Sequence, residues 1–154
     1  MYILFLCTGN SCRSILSEGV FNHLAPAGFT AISAGSQPTG TPHPRALALL
    51  ERKGISTAGL ASKSWNDLSV TPDVVITVCG NAASETCPAY LGQVTRAHWG
   101  LDDPGLVTGS EEDIDAAFER TYQIILARTQ AFFALAQDDV ALPRALHDIG
   151  ALAR

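Results

Sequence analysis

Eight consecutive residues carry the densest chemistry in the chain: Cys7-Thr8-Gly9-Asn10-Ser11-Cys12-Arg13-Ser14. They follow an apolar run and precede a segment of helical pattern, so they join a strand to a helix. Backbone amides of such a loop can curl around an anion, and the helix aims its positive end at the same point. Gly9 permits a tight turn, and Asn10 tolerates a left-handed backbone and can bond the loop to itself. Arg13 offers a planar fork of donors to two oxyanion oxygens. The same field is expected to lower the pKa of Cys7, since a thiol near 8.5 can fall to roughly 3.5–7.5 at a helix N-terminus beside a cation. The hydroxyls of Ser11 and Ser14 can add hydrogen bonds to the thiolate. Cys7 is thus a candidate nucleophile, and residues Thr8, Gly9, Asn10, Ser11, Cys12, Arg13 and Ser14 a candidate cradle for a tetrahedral oxyanion.

A second pair, Cys79 and Cys87, brackets a small, polar stretch after another buried strand. A zinc site built from all four cysteines is disfavoured: the spacings Cys-x4-Cys and Cys-x7-Cys do not match common knuckles on both sides, and zinc would fill the anion loop. No metal and no cofactor is expected. The bland alternative, four small buried hydrophobes, fits poorly with their places at two strand-to-loop junctions.

The elements that must position these residues alternate. Met1–Leu6 reads as a strand buried on both faces, too short for a signal peptide or a membrane span. Apolar residues at 15, 16, 20, 21 and 24 predict a helix with one core-facing stripe. Phe29–Ser33 predicts a second strand, Pro44–Arg52 a helix stopped by Gly54, and Ser64–Leu68 a short helical piece. Asp73–Val78 is a β-branched central strand, and residues 94–99 a weaker one. Ser110-Glu111-Glu112-Asp113 is a capping-box signature opening a long helix to about Ala136. The tail, 138–154, reads as a short helix or as loosely ordered. The 154 residues fit one domain, 1–154, of α/β class: a parallel sheet with helices on both faces. Ligands bind beyond the carboxyl ends of such strands, which puts Cys7 and Cys79 on one edge. A formal net charge of −5 argues against nucleic-acid binding, so an anion must be met by a local site. The protein reads as cytoplasmic, with no membrane partner, where static disulfides are disfavoured.

The loop sequence resembles the phosphate-binding signature of the low-molecular-weight protein tyrosine phosphatase superfamily. That resemblance implies a three-layer fold with a four-stranded parallel sheet flanked by helices. It gives Cys7 the role of nucleophile, Arg13 that of anion ligand, and Asp103 of the Asp103-Pro104 pair that of general acid. Phosphatases of this fold follow the pair with aromatic residues; here Gly105-Leu106-Val107 follows, which counts against an aryl phosphate.

A plain phosphatase has no need of Cys79 and Cys87; an oxidoreductase does. If Cys7 attacks arsenate, a second thiolate can attack the Cys7 sulfur and expel arsenite, and a third can move the disulfide outward. The loop, Ser33-Ala34-Gly35, the Cys79/Cys87 pair and His98-Trp99-Gly100-Leu101-Asp102-Asp103-Pro104 together resemble the thioredoxin-coupled arsenate reductases. By that resemblance the substrate is arsenate, Cys79 resolves the adduct, Cys87 completes the relay, and thioredoxin or glutaredoxin is the reductant. One extra residue separates Cys79 from Cys87 relative to better-known members. Some members bind potassium beside the loop; the matching ligands would be Asn10, Glu18 and Ser33, and the Lys63 ammonium is expected to take the ion's place. The alternatives are a phosphatase whose extra thiols serve redox control, and a cysteine phosphocarrier module.

Overall fold

The structure, a computed structural model, describes residues 1–80, 94–135 and 142–151, with the backbone alone for 142–145. Four parallel strands form one sheet: β1 (Tyr2–Leu6), β2 (Thr30–Ala34), β3 (Val74–Thr77) and β4 (Thr95–His98), in the order β2-β1-β3-β4. Ile3, Leu4, Phe5 and Leu6 are all buried, as a central strand without alternation requires. Leu6 pairs with Ala34 on one side and Thr77 on the other, and Thr77 with His98. The carboxyl ends of β1 and β3 therefore lie side by side, with Cys7 and Cys79 just beyond them.

Helices α1 (Arg13–Leu24), α2 (Pro44–Arg52), α3 (Glu111–Leu135) and α4 (Leu142–Gly150) flank the sheet. Phe5 meets Phe21 of α1 edge-on at 5.7 Å, and Phe21 meets Phe132 of α3 at 5.4 Å, so sheet, α1 and α3 share one aromatic core. Helix α1 departs from the single stripe its sequence predicts. Ser14 to Phe21 are all buried, Ser17, Glu18 and Gly19 included. The reason is that α2 and α3 cover the sides that the sheet leaves: Leu50 of α2 would lie 2.9 Å from a Cβ added at Gly19.

The expected capping box opens α3. Asp113 N donates to Ser110 Oγ at 3.1 Å, and Ser110 N to Asp113 Oδ2 at 3.3 Å. The short piece at 64–68 is a 3-10 turn, Trp65–Asp67, and the tail carries a helix, α4, rather than only loose chain. Leu146 and Ile149 of α4 are buried. Among the described residues no helix is long and apolar enough to cross a membrane.

Candidate active site

The loop after β1 turns its carbonyls outward. Thr8 O accepts from Gln37 N at 2.9 Å, Gly9 O from Thr39 N at 3.0 Å, and Ser11 O from His43 N at 2.8 Å. With its carbonyls bound behind it by residues 37–43, the loop leaves its inner face to N–H groups, the geometry an anion needs. Nothing in the composition of residues 37–43 marks them as this support. Gly35 is part of the same support, since a Cβ there would sit 2.4 Å from Thr8 O and 2.5 Å from Cys7 O.

The left-handed residue is Asn10, at φ 45°, and the described glycine at position 9 is not among those with positive φ. Asn10 adopts the unusual backbone because its side chain is tied on both sides. Its Nδ2 donates to Ser14 Oγ at 2.8 Å and to Ser33 Oγ at 3.0 Å, and its Oδ1 accepts from Lys63 N at 2.9 Å. The Asn10 and Ser14 side chains therefore brace the loop from below, both fully buried. Cys12 stands at the N-cap of α1 and offers no side-chain cap.

Arg13 swings across the mouth of the loop. Its Nη1 donates to Leu101 O at 3.0 Å, and its Nη2 lies 3.4 Å from Asp103 Oδ2. Asp103 caps the 3-10 turn Pro104–Leu106, with Oδ1 accepting from Gly105 N at 2.8 Å. One carboxylate thus serves as turn-former and as neighbour of the arginine. A cavity of about 190 Å³ beside Asp103 is lined by Leu101, Pro104, Val107 and Ile124 with Asp102 and Arg120, and among the described residues no aromatic ring lines it. Leu106, 78% exposed, offers no ring to the site either.

Cys79 comes to the loop's rim. Thr8 N donates to Cys79 Sγ at 3.4 Å, and Thr8 Oγ1 lies 3.8 Å from the same sulfur. Cys7, Cys12 and Cys79 are all buried. Cys87 lies outside the described residues. The structure so brings together Cys7, Arg13, Cys79 and Asp103, as expected.

The expected lowering of the Cys7 pKa is not what this arrangement gives. A hydrogen bond with Cys79, then burial, push the Cys7 thiol up; Arg13 and the Gly9 amide pull the other way and lose. The loop field acts on a pair of neighbouring sulfurs, where one thiol discourages ionisation of the other. Burial first, and the Asp103 charge second, push Cys12 up to about 12 against Arg13, which keeps it protonated at neutral pH and suits it to packing. Cys79→Ala removes the largest influence raising Cys7. Alkylation of Cys7 by iodoacetamide at pH 7 should then speed up, by about threefold for each pKa unit recovered, since a lower pKa raises the thiolate fraction but lowers its nucleophilicity. Peptide mass mapping of the labelled cysteine checks this, and an unchanged Cys7 rate would contradict the pairing.

Behind the loop, Ser33 Oγ donates to Glu18 Oε1 at 2.8 Å, and Lys63 Nζ lies 3.8 Å from the same oxygen. Burial raises the Glu18 pKa, opposed by Lys63 and Ser33. The Lys63 ammonium thus stands beside the Glu18 carboxyl, where it can supply the positive charge. The Asn10 oxygen is taken by Lys63 N, and the Glu18 oxygen by Ser33 with an ammonium already beside it. His98 at the end of β4 is exposed, with Nδ1 2.7 Å from Thr77 Oγ1, whereas Trp99 is buried.

The family model described as low molecular weight phosphotyrosine protein phosphatase matches residues 2–142. An arsenate reductase of Shouchella clausii is 38% identical over 131 residues, covering 84% of this chain and 93% of that protein. A solved arsenate reductase in a phosphate-binding state shares 26% identity with a TM-score of 0.65, over 84% of this chain and 96% of its own. The Escherichia coli K30 tyrosine phosphatase Wzb gives the same TM-score, 0.65, at 22% identity, covering 84% of this chain and 93% of its own. Backbone shape alone therefore does not choose between the two chemistries. The loop, the sheet it grows from and the sequence likeness agree on kinship: the chain belongs to the low molecular weight phosphotyrosine protein phosphatase family, in the group that holds these bacterial arsenate reductases.

Proposed function

We propose that the protein, acting as one domain over residues 1–154, reduces arsenate to arsenite through a relay of Cys7, Cys79 and Cys87. The observation that carries this reading is the Cys79 sulfur held against Thr8 at the rim of the Cys7 loop. The loop amides of residues 8–14 and Arg13 bind the oxyanion. Cys7 thiolate attacks arsenic, and a hydroxyl protonated by Asp103 leaves as water, forming a sulfur–arsenic bond. Cys79 thiolate then attacks the Cys7 sulfur. The sulfur–arsenic electron pair passes to arsenic, which leaves as arsenite, reduced by two electrons, while the two thiols become a disulfide. Cys87 attacks Cys79, frees Cys7, and leaves a Cys79–Cys87 disulfide for an external dithiol. Thioredoxin is the proposed reductant, glutaredoxin the alternative. Thiol chemistry of this kind suits the cytoplasm.

Cys7 must give up its proton for this attack, and Arg13 with the Gly9 amide are the groups that favour its thiolate against the Cys79 hydrogen bond and burial. The match to the phosphotyrosine protein phosphatase family model supports a second reading, hydrolysis of a phosphate ester on the same loop. The deciding assay is arsenite formation from arsenate with thioredoxin, thioredoxin reductase and NADPH. Steady arsenite release is expected. Brisk phosphotyrosine hydrolysis with no arsenite would replace this reading with the phosphatase.

Lys63 serves, in this reading, as a built-in counter-charge to Glu18 beneath the loop. Exchange of potassium for sodium at constant ionic strength should leave the rate within about twofold, since a 3.8 Å pair that is already part-buried needs no added ion. A strong potassium requirement in that assay would sink the idea.

A further inference from the structure

Arg128 is among the largest side chains fully enclosed in the protein, 1% exposed, and it lies far from the loop in sequence. A buried cation is costly, and an apolar residue of similar volume often gives equal or better stability. An arginine at such a place points to a need for directed donors. Among its contacts, Nη1 donates to Gly100 O at 3.1 Å and Nη2 to Gly150 O at 3.2 Å. The first carbonyl belongs to the segment entering the site, the second to the end of α4.

The segment Trp99–Asp103 is suspended between two supports. On the sheet side, Trp99 N donates to Thr77 O at 2.8 Å and Leu101 N to Val78 O at 3.0 Å, next to Cys79. On the helix side, Arg128 holds Gly100 O, and Trp99 Nε1 donates to Leu146 O of α4 at 2.9 Å. Helix α4 also abuts this segment closely: a Cβ at Gly150 would lie 2.3 Å from His98 O. The peptide that follows Gly100 ends in Leu101 O, the acceptor of Arg13 Nη1. Two residues on, Asp103 faces Arg13 Nη2. The direction of Arg13 is therefore set by a strand of backbone whose other edge is fixed by Arg128.

We propose that Arg128 is a positioning residue for oxyanion binding: by clamping Gly100 between α3 and α4 it fixes Leu101 O and so aims the Arg13 guanidinium across the loop. The inference rests on the reading of Arg13 as the oxyanion ligand and adds to it the support that keeps the fork preset. A guanidinium that must search for its direction loses the advantage of a preset site.

The test uses the full chain and inorganic phosphate as the probe, measured by titration calorimetry, with arsenate kinetics alongside. Arg128→Met removes both donors and keeps an apolar filler; Arg128→Lys keeps one donor. Couplings of this kind change binding by a few-fold to about thirtyfold, so the phosphate Kd should rise about tenfold in Arg128→Met and about threefold in Arg128→Lys. KM for arsenate should rise with it, and kcat should fall less. In an Arg13→Met background, Arg128→Met should add little further loss, because the residues act through one bond. A purely structural role would lower the melting temperature while leaving phosphate Kd unchanged in the folded variant, and that result overturns the proposal. So does a full, additive loss in the Arg13→Met background. Should Arg128→Met not fold, Arg128→Lys carries the test: a Kd raised about threefold supports the clamp and an unchanged Kd overturns it. Wild-type protein that binds no phosphate would overturn the reading of Arg13 itself, a failure distinct from that of Arg128.

Discussion

Cys87→Ser will release about one arsenite per chain and then stop, with the enzyme trapped as a Cys7–Cys79 disulfide. The chemistry up to product release needs only the first two sulfurs, and Cys79 is already at the loop's rim beside Thr8. What the third thiol supplies is regeneration. A disulfide between Cys7 and Cys79 would tie together two residues that are 6% and 3% exposed, out of reach of an external dithiol. Exchange with Cys87 is the proposed way to free Cys7 and hand the oxidising equivalents outward. Rapid-quench measurement of arsenite gives the burst amplitude, and non-reducing peptide mapping identifies the trapped pair. Continued turnover of Cys87→Ser at the wild-type rate would remove this residue from the relay.

Arg13→Lys should lower kcat/KM for arsenate by about 10²–10³, the usual cost of losing a preset donor to developing oxyanion charge. The substitution keeps a positive charge, so the influence that Arg13 exerts on the Cys7 thiol is largely retained. It removes the planar fork, which reaches Leu101 O with one nitrogen and Asp103 with the other. A single ammonium cannot keep those contacts and also present paired donors to an anion. Steady-state kinetics with a phosphate-binding titration separates the two contributions: weaker phosphate binding with an unchanged Cys7 alkylation profile is the expected pattern. Activity within threefold of wild type would mean that charge alone suffices.

Much of this site was legible from local pattern. The apolar run before Cys7 could only be a buried strand, and Ser14 onward carried a helical spacing, so the loop had to join them. The capping box at Ser110 and the proline at the start of α2 are local rules, decided within a few residues of themselves. Helix α1 shows where such reading stops. Its Ser17, Glu18 and Gly19 look solvent-facing by composition, yet they are buried: Gly19 lies against Leu50 of α2, and Glu18 is bonded to Ser33 of β2 beside Lys63. Burial depends on what arrives from elsewhere in the chain, and a hydrophobic stripe does not report that.

The ionisation of Cys7 is the clearest case of a property assigned wrongly from local sequence. A helix N-terminus and an adjacent arginine are visible in the loop itself, and both favour the thiolate. Cys79, more than seventy residues away, becomes a hydrogen-bond partner only when β3 pairs with β1, and its effect together with burial exceeds theirs. Asn10 tells a similar story in the other direction: its left-handed backbone was foreseeable, but its ties to Ser33 and Lys63 were not.

The sequence by itself determined the reacting groups and their immediate frame: a cysteine and an arginine at the ends of one loop, between a buried strand and a helix, with further thiols after another strand. These follow from chemistry and from periodicities that act over a few residues. Only the tertiary structure decided which sulfurs meet, which carbonyls turn the loop amides inward, and that a buried arginine on α3 holds the backbone to which Arg13 is bonded. Those relations depend on strand register and helix docking, and they exist only once segments distant in the chain share one core.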